Sequence, residues 1–372
     1  MRQHKRRFLF VLSGFLIFQL VVWATVSSVA LAGGKIEIDD THSVSVGMGL
    51  RSSLNFVENG APNGTSGADD FTLDNFRFYM SGQLHEIITF EFNADFAGQG
   101  TENLQVLDGV IKFAFNDIFN VWAGRFLPPS DRSNLSGPFF LNAWDFPFVQ
   151  KYPAIFAGRD EGAAIFGQFN GGQFKYQVGA FEGEKESNGG DSLLYAGRLT
   201  LNLWDPEPGY YNSSTYYGGK DVFAIGGVAM FQEDTSVATP PGDFTGWNVD
   251  LLIEKNLGDI GVATLEGAFY DYDRERVAVA SEGEGYFVLA SYLCPNKFGP
   301  GTLQGQLQPM VRYQEFDNDV LGNRDQTRLD LALSYIIDGH NARITATYST
   351  EDPANPALSD FDTVKLGLQF QI

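Results

Sequence analysis

The chain has 372 residues, a formal net charge of -21 and a hydrophobic content of 44%. Beyond the first 32 residues no apolar run is long enough for a transmembrane helix, which argues against a helical membrane protein. The single cysteine, Cys294, excludes an intramolecular disulfide framework, and we interpret it as a small packing residue near a strand end.

The first 32 residues have the three parts of a secretory signal peptide. Basic residues stand at positions 2, 5, 6 and 7, an apolar run follows over 8–29, and the segment ends in Ala30-Leu31-Ala32. We expect cleavage after Ala32, which would leave a single domain over 33–372. The alternative is an uncleaved anchor, since the apolar run is long enough to span a bilayer.

Most of the mature chain alternates apolar and polar residues in segments bounded by Gly, Pro, Asn, Asp and Ser. This alternation is typical of membrane strands with one face in lipid and the other toward a polar lumen. The clearest apolar faces contain Phe76, Phe78 and Met80; Ile88, Phe90, Phe92, Ala94 and Phe96; Leu329, Leu331 and Leu333; Ile344, Ala346 and Tyr348; and Val364, Leu366, Leu368, Phe370 and Ile372.

The connections between these segments alternate in length. Tight links at 116–117, 170–172, 258–259 and 338–340 fit periplasmic turns. Eight longer links fit external loops; they lie at 57–70, 97–103, 127–158, 182–192, 234–244, 273–284, 317–325 and 351–360. Two presumed periplasmic links, 204–220 and 295–303, are longer than expected.

We therefore predict an all-β protein, a transmembrane antiparallel β-barrel of about sixteen strands. Its last strand runs to the C-terminus and suits a barrel that closes on its first strand. The alternative is a secreted β-sandwich or propeller, which also alternates, but a sandwich of this length would normally be divided into smaller domains.

The longest connection, 127–158, has a composition unlike that of an external loop. It carries seven aromatic residues, which would form an aggregation-prone patch if they faced solvent. We predict that this third external loop folds into the barrel and narrows the pore; the alternative is a loop that caps a neighbouring subunit at a trimer axis. The residues that we expect to anchor it are Phe139, Phe140, Trp144 and Phe148.

The sequence around this loop resembles the phosphate-selective porin O and P family. The resemblance is carried by Gly124, Arg125, Phe126 and Pro128 before the loop and by Gly158, Arg159, Asp160 and Gly162 after it. It implies a sixteen-stranded trimeric outer-membrane barrel whose third external loop enters the pore. The matching region has no dense basic cluster, so phosphate selectivity is not carried over.

The polar phase of the strands assigns similar numbers of bases and acids to the lumen, with Arg125 among the bases. Four cations, Arg125, Arg132, Lys151 and Arg159, flank or lie in the long loop and are our candidates for solute binding at the pore constriction. Cationic groups at a narrow point attract anions, and the Arg fork suits oxyanions such as phosphate. The alternative interpretation of each wall charge is purely structural: an ion pair between strands that stiffens the barrel.

We predict an outer-membrane porin, a passive diffusion channel for small hydrophilic solutes or ions with a weak oxyanion preference. The expected partners are outer-membrane lipid and lipopolysaccharide, two further copies in a homotrimer, and small anions or other small solutes. No nucleic acid, cofactor or metal is expected. The main alternative is a barrel that acts as a sleeve for a periplasmic or multihaem partner. An enzyme is disfavoured because His42, His85 and His340 lie apart without a nucleophile motif.

Overall fold

The computed structural model describes residues 34–97, 104–152, 158–184, 192–235, 242–275, 281–319 and 325–372. The predicted signal peptide lies outside these residues. Within them the chain forms one large antiparallel sheet. The strands are β1 (Gly34–Glu37), β2 (Ser43–Val57), β3 (Ala68–His85), β4 (Ile88–Ala97), β5 (Leu104–Ala114), β6 (Asn120–Phe126), β7 (Asp160–Phe169), β8 (Phe174–Phe181), β9 (Leu194–Asn202), β10 (Val222–Gln232), β11 (Phe244–Asn256), β12 (Val262–Arg274), β13 (Gly283–Leu293), β14 (Gln306–Asn318), β15 (Gln326–Asp338), β16 (Ala342–Asp352) and β17 (Phe361–Gln371).

The sheet closes on itself. Each strand from β2 to β17 pairs with its neighbours in sequence, and β17 pairs with β2 from Thr363↔Val57 to Gln371↔Gly49. The short β1 pairs with the first residues of β2, below the point where β17 ends. The prediction of a closed barrel of sixteen strands is therefore confirmed, and the C-terminal strand closes it as expected.

The two faces of the sheet differ in polarity, as the alternation predicts. On β15, Leu331 and Leu333 are each 47% exposed on the outer face, whereas Asp330 and Ser334 are buried on the inner face. On β16, Arg343 and Thr345 are buried inside while Tyr348 is exposed outside. Because side chains on a strand alternate between faces, one register places all of these residues correctly.

The connections differ in size at the two ends of the barrel. The end at which β2 begins and β17 ends has short turns, apart from 203–221 after β9 and 294–305 after β13. The other end has the longer loops, of which the longest joins β6 to β7 and contains helix α1 (Arg132–Ser136). Asp131 caps this helix by accepting a hydrogen bond from the Ser133 N–H. No helix in the described ranges is long and apolar enough to cross a membrane.

Candidate functional site

The connection between β6 and β7, residues 127–159, is called the long loop here. Its described part contacts the buried polar face of strands all round the sheet. Because β2 and β11 are seven strands apart, the long loop reaches opposite walls of the closed sheet. Its hydrogen bonds run to Asp250 on β11 (3.2 Å), Ser291 on β13 (2.8 Å), Gln314 on β14 (2.9 Å), Arg343 on β16 (2.9 Å) and Gln369 on β17 (2.9 Å), and to Arg51 on β2.

Two of the predicted anchoring residues pack directly on glycines of the wall. Phe139 is 1% exposed and lies on Gly49, where an added Cβ would stand 2.6 Å from the ring. Trp144 is 2% exposed and lies on Gly367 in the same way, also at 2.6 Å. Each wall glycine therefore leaves the space that one ring of the long loop occupies.

The other two predicted anchoring residues are less enclosed. Phe148 is partly buried and packs against the main hydrophobic cluster of the barrel interior. Phe140 remains 41% exposed, with its ring centroid 4.8 Å from that of His340. The structure thus packs Phe139, Trp144 and Phe148 against the barrel, encloses only the first two fully, and leaves Phe140 beside His340 of the β15–β16 turn.

Arg132, a predicted constriction residue, is buried in an ion pair. Its guanidinium donates to both carboxylate oxygens of Glu207, at 2.8 and 2.6 Å, and to the Ser213 carbonyl at 2.8 Å. Burial opposes ionisation of Glu207, but the Arg132 charge overrides this effect and lowers the pKa of Glu207 to about 2. This arrangement holds α1 in place and leaves little of the Arg132 charge for solutes.

Arg159 and Arg125 lie on opposite faces of the sheet. The buried Arg159 approaches Asp108, with 3.3 Å between Nε and Oδ1. Arg125 lies on the same face as the exposed Ala123 and pairs with Glu161, which shares its face with the exposed Ile165. The prediction that Arg125 faces the lumen is therefore wrong, because Trp122 and Phe126 take the inward positions of β6 and pack around Tyr210.

Lys151, the fourth predicted cation, has no carboxylate oxygen within 4.0 Å in the described ranges. Its Nζ atom lies 5.0 Å from the ring centroid of Phe316 and 5.7 Å from that of Phe148. Burial lowers the pKa of Lys151, and the nearby Glu351 charge opposes this shift. Among the four predicted cations, Lys151 is therefore the one whose charge is least neutralised.

Sequence reasoning missed Arg51, which lies beside the long loop. Its guanidinium donates to the Trp144 carbonyl and stands 4.2 Å from the Trp144 ring centroid. Arg343 donates to the Leu141 and Asn142 carbonyls, at 2.9 and 3.2 Å, and stands 5.8 Å from the Trp144 ring. The polar phase of β2, with Gly49, Arg51 and Ser53, was the signal that could have identified Arg51.

Most other inward charges form ion pairs between strands, which agrees with the structural alternative given for the wall charges. The pairs are Arg77–Asp95, Lys112–Glu91, Arg198–Asp250 and Arg312–Asp330, and Arg328 pairs with Asp330 on its own strand. On the β11–β12 side, Glu254 and Glu266 have no basic group within 4.0 Å in the part of the chain that is described, whereas Arg51 and Arg343 have no acidic one on the opposite side. Within the described residues, arginines without an acidic partner and glutamates without a basic partner therefore lie on different walls of the sheet.

Comparison with known proteins agrees with this architecture. The family described as phosphate-selective porin O and P matches residues 44–208, somewhat less than half of the chain. The resemblance to this family is confirmed over that range. Among curated proteins nothing matches significantly.

Several solved porins share the barrel. The anion-selective porin from Comamonas acidovorans is 13% identical, with a TM-score of 0.60, and the match covers 89% of this chain and 100% of that one. OmpT of Vibrio cholerae, in a trimer form, is 15% identical at a TM-score of 0.57, covering 90% and 100%. OprB of Pseudomonas putida is 10% identical at 0.61, covering 88% and 94%.

At these identities the solved structures establish the fold alone. Together with the family match, they support an outer-membrane channel of the porin class rather than an enzyme. Within the described residues no group of three or more His, Cys, Asp or Glu side chains is arranged to hold a metal ion.

Proposed function

We propose that the protein is a passive diffusion channel for small hydrophilic solutes with a weak preference for anions, and that the long loop narrows its pore. The contacts of the long loop with opposite walls support the second part, since only the interior of a closed barrel gives access to both. They also weigh against a sleeve, which needs an open lumen for its partner.

The observation that carries the anion preference is the pair of arginines at Trp144. Neither Arg51 nor Arg343 has a carboxylate oxygen within 4.0 Å in the described ranges. Three buried donors at this point also have no acceptor among the residues that the structure describes: Arg51 Nε, Arg343 Nη2 and Trp144 Nε1. Uncompensated positive charge beside a constriction raises the local concentration of anions.

Other charges limit the strength of this preference. The Asp145 carboxylate offsets the charge of two partly exposed cations, Lys365 and Arg328. Lys365 donates to both Asp145 oxygens, at 2.8 and 2.7 Å. The buried Glu254, which has no basic group within 4.0 Å in the described ranges, places negative charge on the opposite wall. We therefore propose a modest selectivity for anions, which the buried Arg51 and Arg343 exert through the field of their charges and not by direct contact with the solute.

The proposed setting is the bacterial outer membrane, reached through the predicted signal peptide. The name of the matching family and the anion-selective Comamonas porin support the anion preference. The trimer form of OmpT supports a homotrimer for this chain. We propose outer-membrane lipid and lipopolysaccharide as the surroundings of its apolar outer face.

Single-channel recording in planar bilayers tests the proposal. Under a KCl gradient we expect stepwise conductance and a reversal potential on the anion side, with partial block by added phosphate. The double variant Arg51→Gln, Arg343→Gln should shift the reversal potential toward cations. Arg125→Gln is the matched control, since it removes one positive charge from the outer face and should leave the potential unchanged. A cation-sided potential for the wild type would overturn the preference.

A further inference from the structure

We propose that residues 203–221, the β9–β10 segment, form a second constricting element that enters the barrel from the end opposite the long loop and holds that loop in place. The proposal rests on the proposed function only in placing the long loop in the pore. The contact between the two segments can be tested whether or not the protein conducts.

The two segments start at opposite ends of the barrel. Strands of an antiparallel barrel alternate in direction, so a connection after β9 lies at the end opposite a connection after β6. Apart from 294–305, the other turns at the β9 end are short, such as those between β7 and β8 and between β15 and β16. A connection from 203 to 221 is therefore far longer than closing this hairpin requires.

The extra length is buried inside the barrel and contacts the inner wall. Ser214 and Thr215 are fully buried, although both carry polar side chains. Ser214 donates to Glu266 at 2.9 Å, and Thr215 donates to Glu254 at 2.7 Å. The Tyr216 backbone N–H also donates to Glu254, at 3.0 Å.

These hydrogen bonds explain the two wall carboxylates that lack a basic partner. Buried carboxylates need hydrogen-bond donors when no cation neutralises them. Glu254 receives donors from Thr215, Tyr216, Gly218 at 2.8 Å and Thr264 at 3.1 Å. Most of these donors belong to the β9–β10 segment, so the buried Glu254 carboxylate depends on this segment for its hydrogen bonds.

The first part of the segment packs on the opposite side of the interior. The Tyr210 ring stacks on Trp122 with centroids 4.5 Å apart and planes 22° from parallel. Gln177 donates to the Tyr210 carbonyl at 2.6 Å. The segment therefore bridges β6 and β8 on one side and β11 and β12 on the other.

Inside the barrel the segment meets the long loop. The bidentate pair between Arg132 and Glu207 joins them, and each side chain is 1% exposed. The Tyr210 hydroxyl donates to the Leu127 carbonyl at 3.0 Å, and the Ser214 N–H donates to the Phe140 carbonyl at 3.2 Å. Each segment thus satisfies groups that the other would otherwise leave buried and unpaired.

A disulfide between the two segments tests their contact. The hydroxyl oxygens of Ser136 and Ser214 are 3.3 Å apart, a separation compatible with cysteine side chains in bonding range. In a Cys294→Ser background, we expect Ser136→Cys with Ser214→Cys to give an intrachain disulfide on mild oxidation. Ser136→Cys with Ser359→Cys, on an exposed external loop, is the control and should not cross-link.

The cross-link is read by mass spectrometry of proteolytic peptides before and after reduction, on protein whose heat-modifiable gel mobility shows a folded barrel. Absence of the disulfide in folded protein would overturn the proposed contact. This result is independent of conductance, so it is distinguishable from a failure of the channel proposal.

The holding role is tested by Glu207→Gln, which removes the charge that Arg132 pairs with. We expect larger single-channel conductance and more frequent current fluctuations, because the long loop loses its attachment to the β9–β10 segment. Asp259→Asn, at an exposed turn of the same end, is the control and should conduct like the wild type. Unchanged conductance in a Glu207→Gln variant that still folds would overturn the holding role, even if the disulfide forms.

Discussion

The two halves of the long loop are attached to the barrel by different interactions. The first half, residues 127–136, is held mainly through Arg132, whose side chain pairs with Glu207 of the β9–β10 segment and whose N–H donates to Asp250 on β11 at 3.2 Å. The second half, residues 139–148, presents rings and backbone carbonyls to the wall. Arg312 donates to the Asp145 carbonyl at 2.8 Å, as Arg51 and Arg343 do to other carbonyls of this half.

This difference determines where charge remains uncompensated. In the first half the one arginine, Arg132, meets the Glu207 carboxylate, so this attachment is electrically neutral. In the second half two arginines meet only carbonyl dipoles, which satisfy hydrogen bonds without cancelling charge. Attachment and the proposed anion attraction therefore belong to different halves of one loop, and Arg132, the predicted constriction cation of the first half, serves mainly to hold it.

The largest effect is expected from removing the ion pair that holds the first half of the long loop. Arg132→Met leaves the buried Glu207 carboxylate without its cation, which should lower the free energy of unfolding by about 3–5 kcal/mol. Urea unfolding in lipid vesicles, followed by tryptophan fluorescence, measures the change. Arg125→Met is the control: its pair with Glu161 is partly exposed on the outer face, and its loss should cost less than about 1 kcal/mol. Equal costs would contradict the comparison.

A smaller effect is expected at the two wall glycines on which the rings of the second half pack. Gly49→Val and Gly367→Val each place a side chain where a ring now lies, so the long loop must shift, at a cost of about 1–3 kcal/mol. We expect altered single-channel conductance with the barrel intact. Gly227→Val is the control, since no described atom lies within 4 Å of its added Cβ. Adding Phe139→Ala to Gly49→Val should restore part of the lost free energy of unfolding. If the two substitutions instead destabilise additively, the proposed packing of Phe139 on Gly49 is contradicted.

The smallest effect concerns Lys151. Burial lowers its pKa below the ordinary lysine value of 10.5, so the side chain loses its proton at a lower pH than a free lysine. Because deprotonation removes a positive charge, anion preference should fall as the pH rises through this lowered pKa. Reversal potentials across an alkaline pH series measure the fall. Lys151→Met should abolish it, whereas Lys297→Met, on an exposed turn, should not. An unchanged fall in Lys151→Met would assign it to another group.

The contributions of sequence and structure to the site can be separated residue by residue. The composition of 127–158 was sufficient to identify an unusual loop, because so many aromatic residues are incompatible with exposure to water. It could not show that Arg132 would be neutralised, since Glu207 is 75 residues away in sequence. Arg125 was assigned to the wrong face because the inner wall of β6 is aromatic, and a charge-based phase therefore chose the wrong side.

By itself the sequence determined the barrel. The period of two along each strand fixes which face is apolar, and a one-residue slip would place charges such as Asp330 and Arg343 outside, so strand count, register and closure follow from local pattern. The tertiary structure alone decided which connections contact each other and the inner face of the sheet. From the sequence, 203–221 is only a turn that is longer than expected. The closed sheet brings Glu207 of this turn to Arg132, because the partners of a buried charge are set by distance in space.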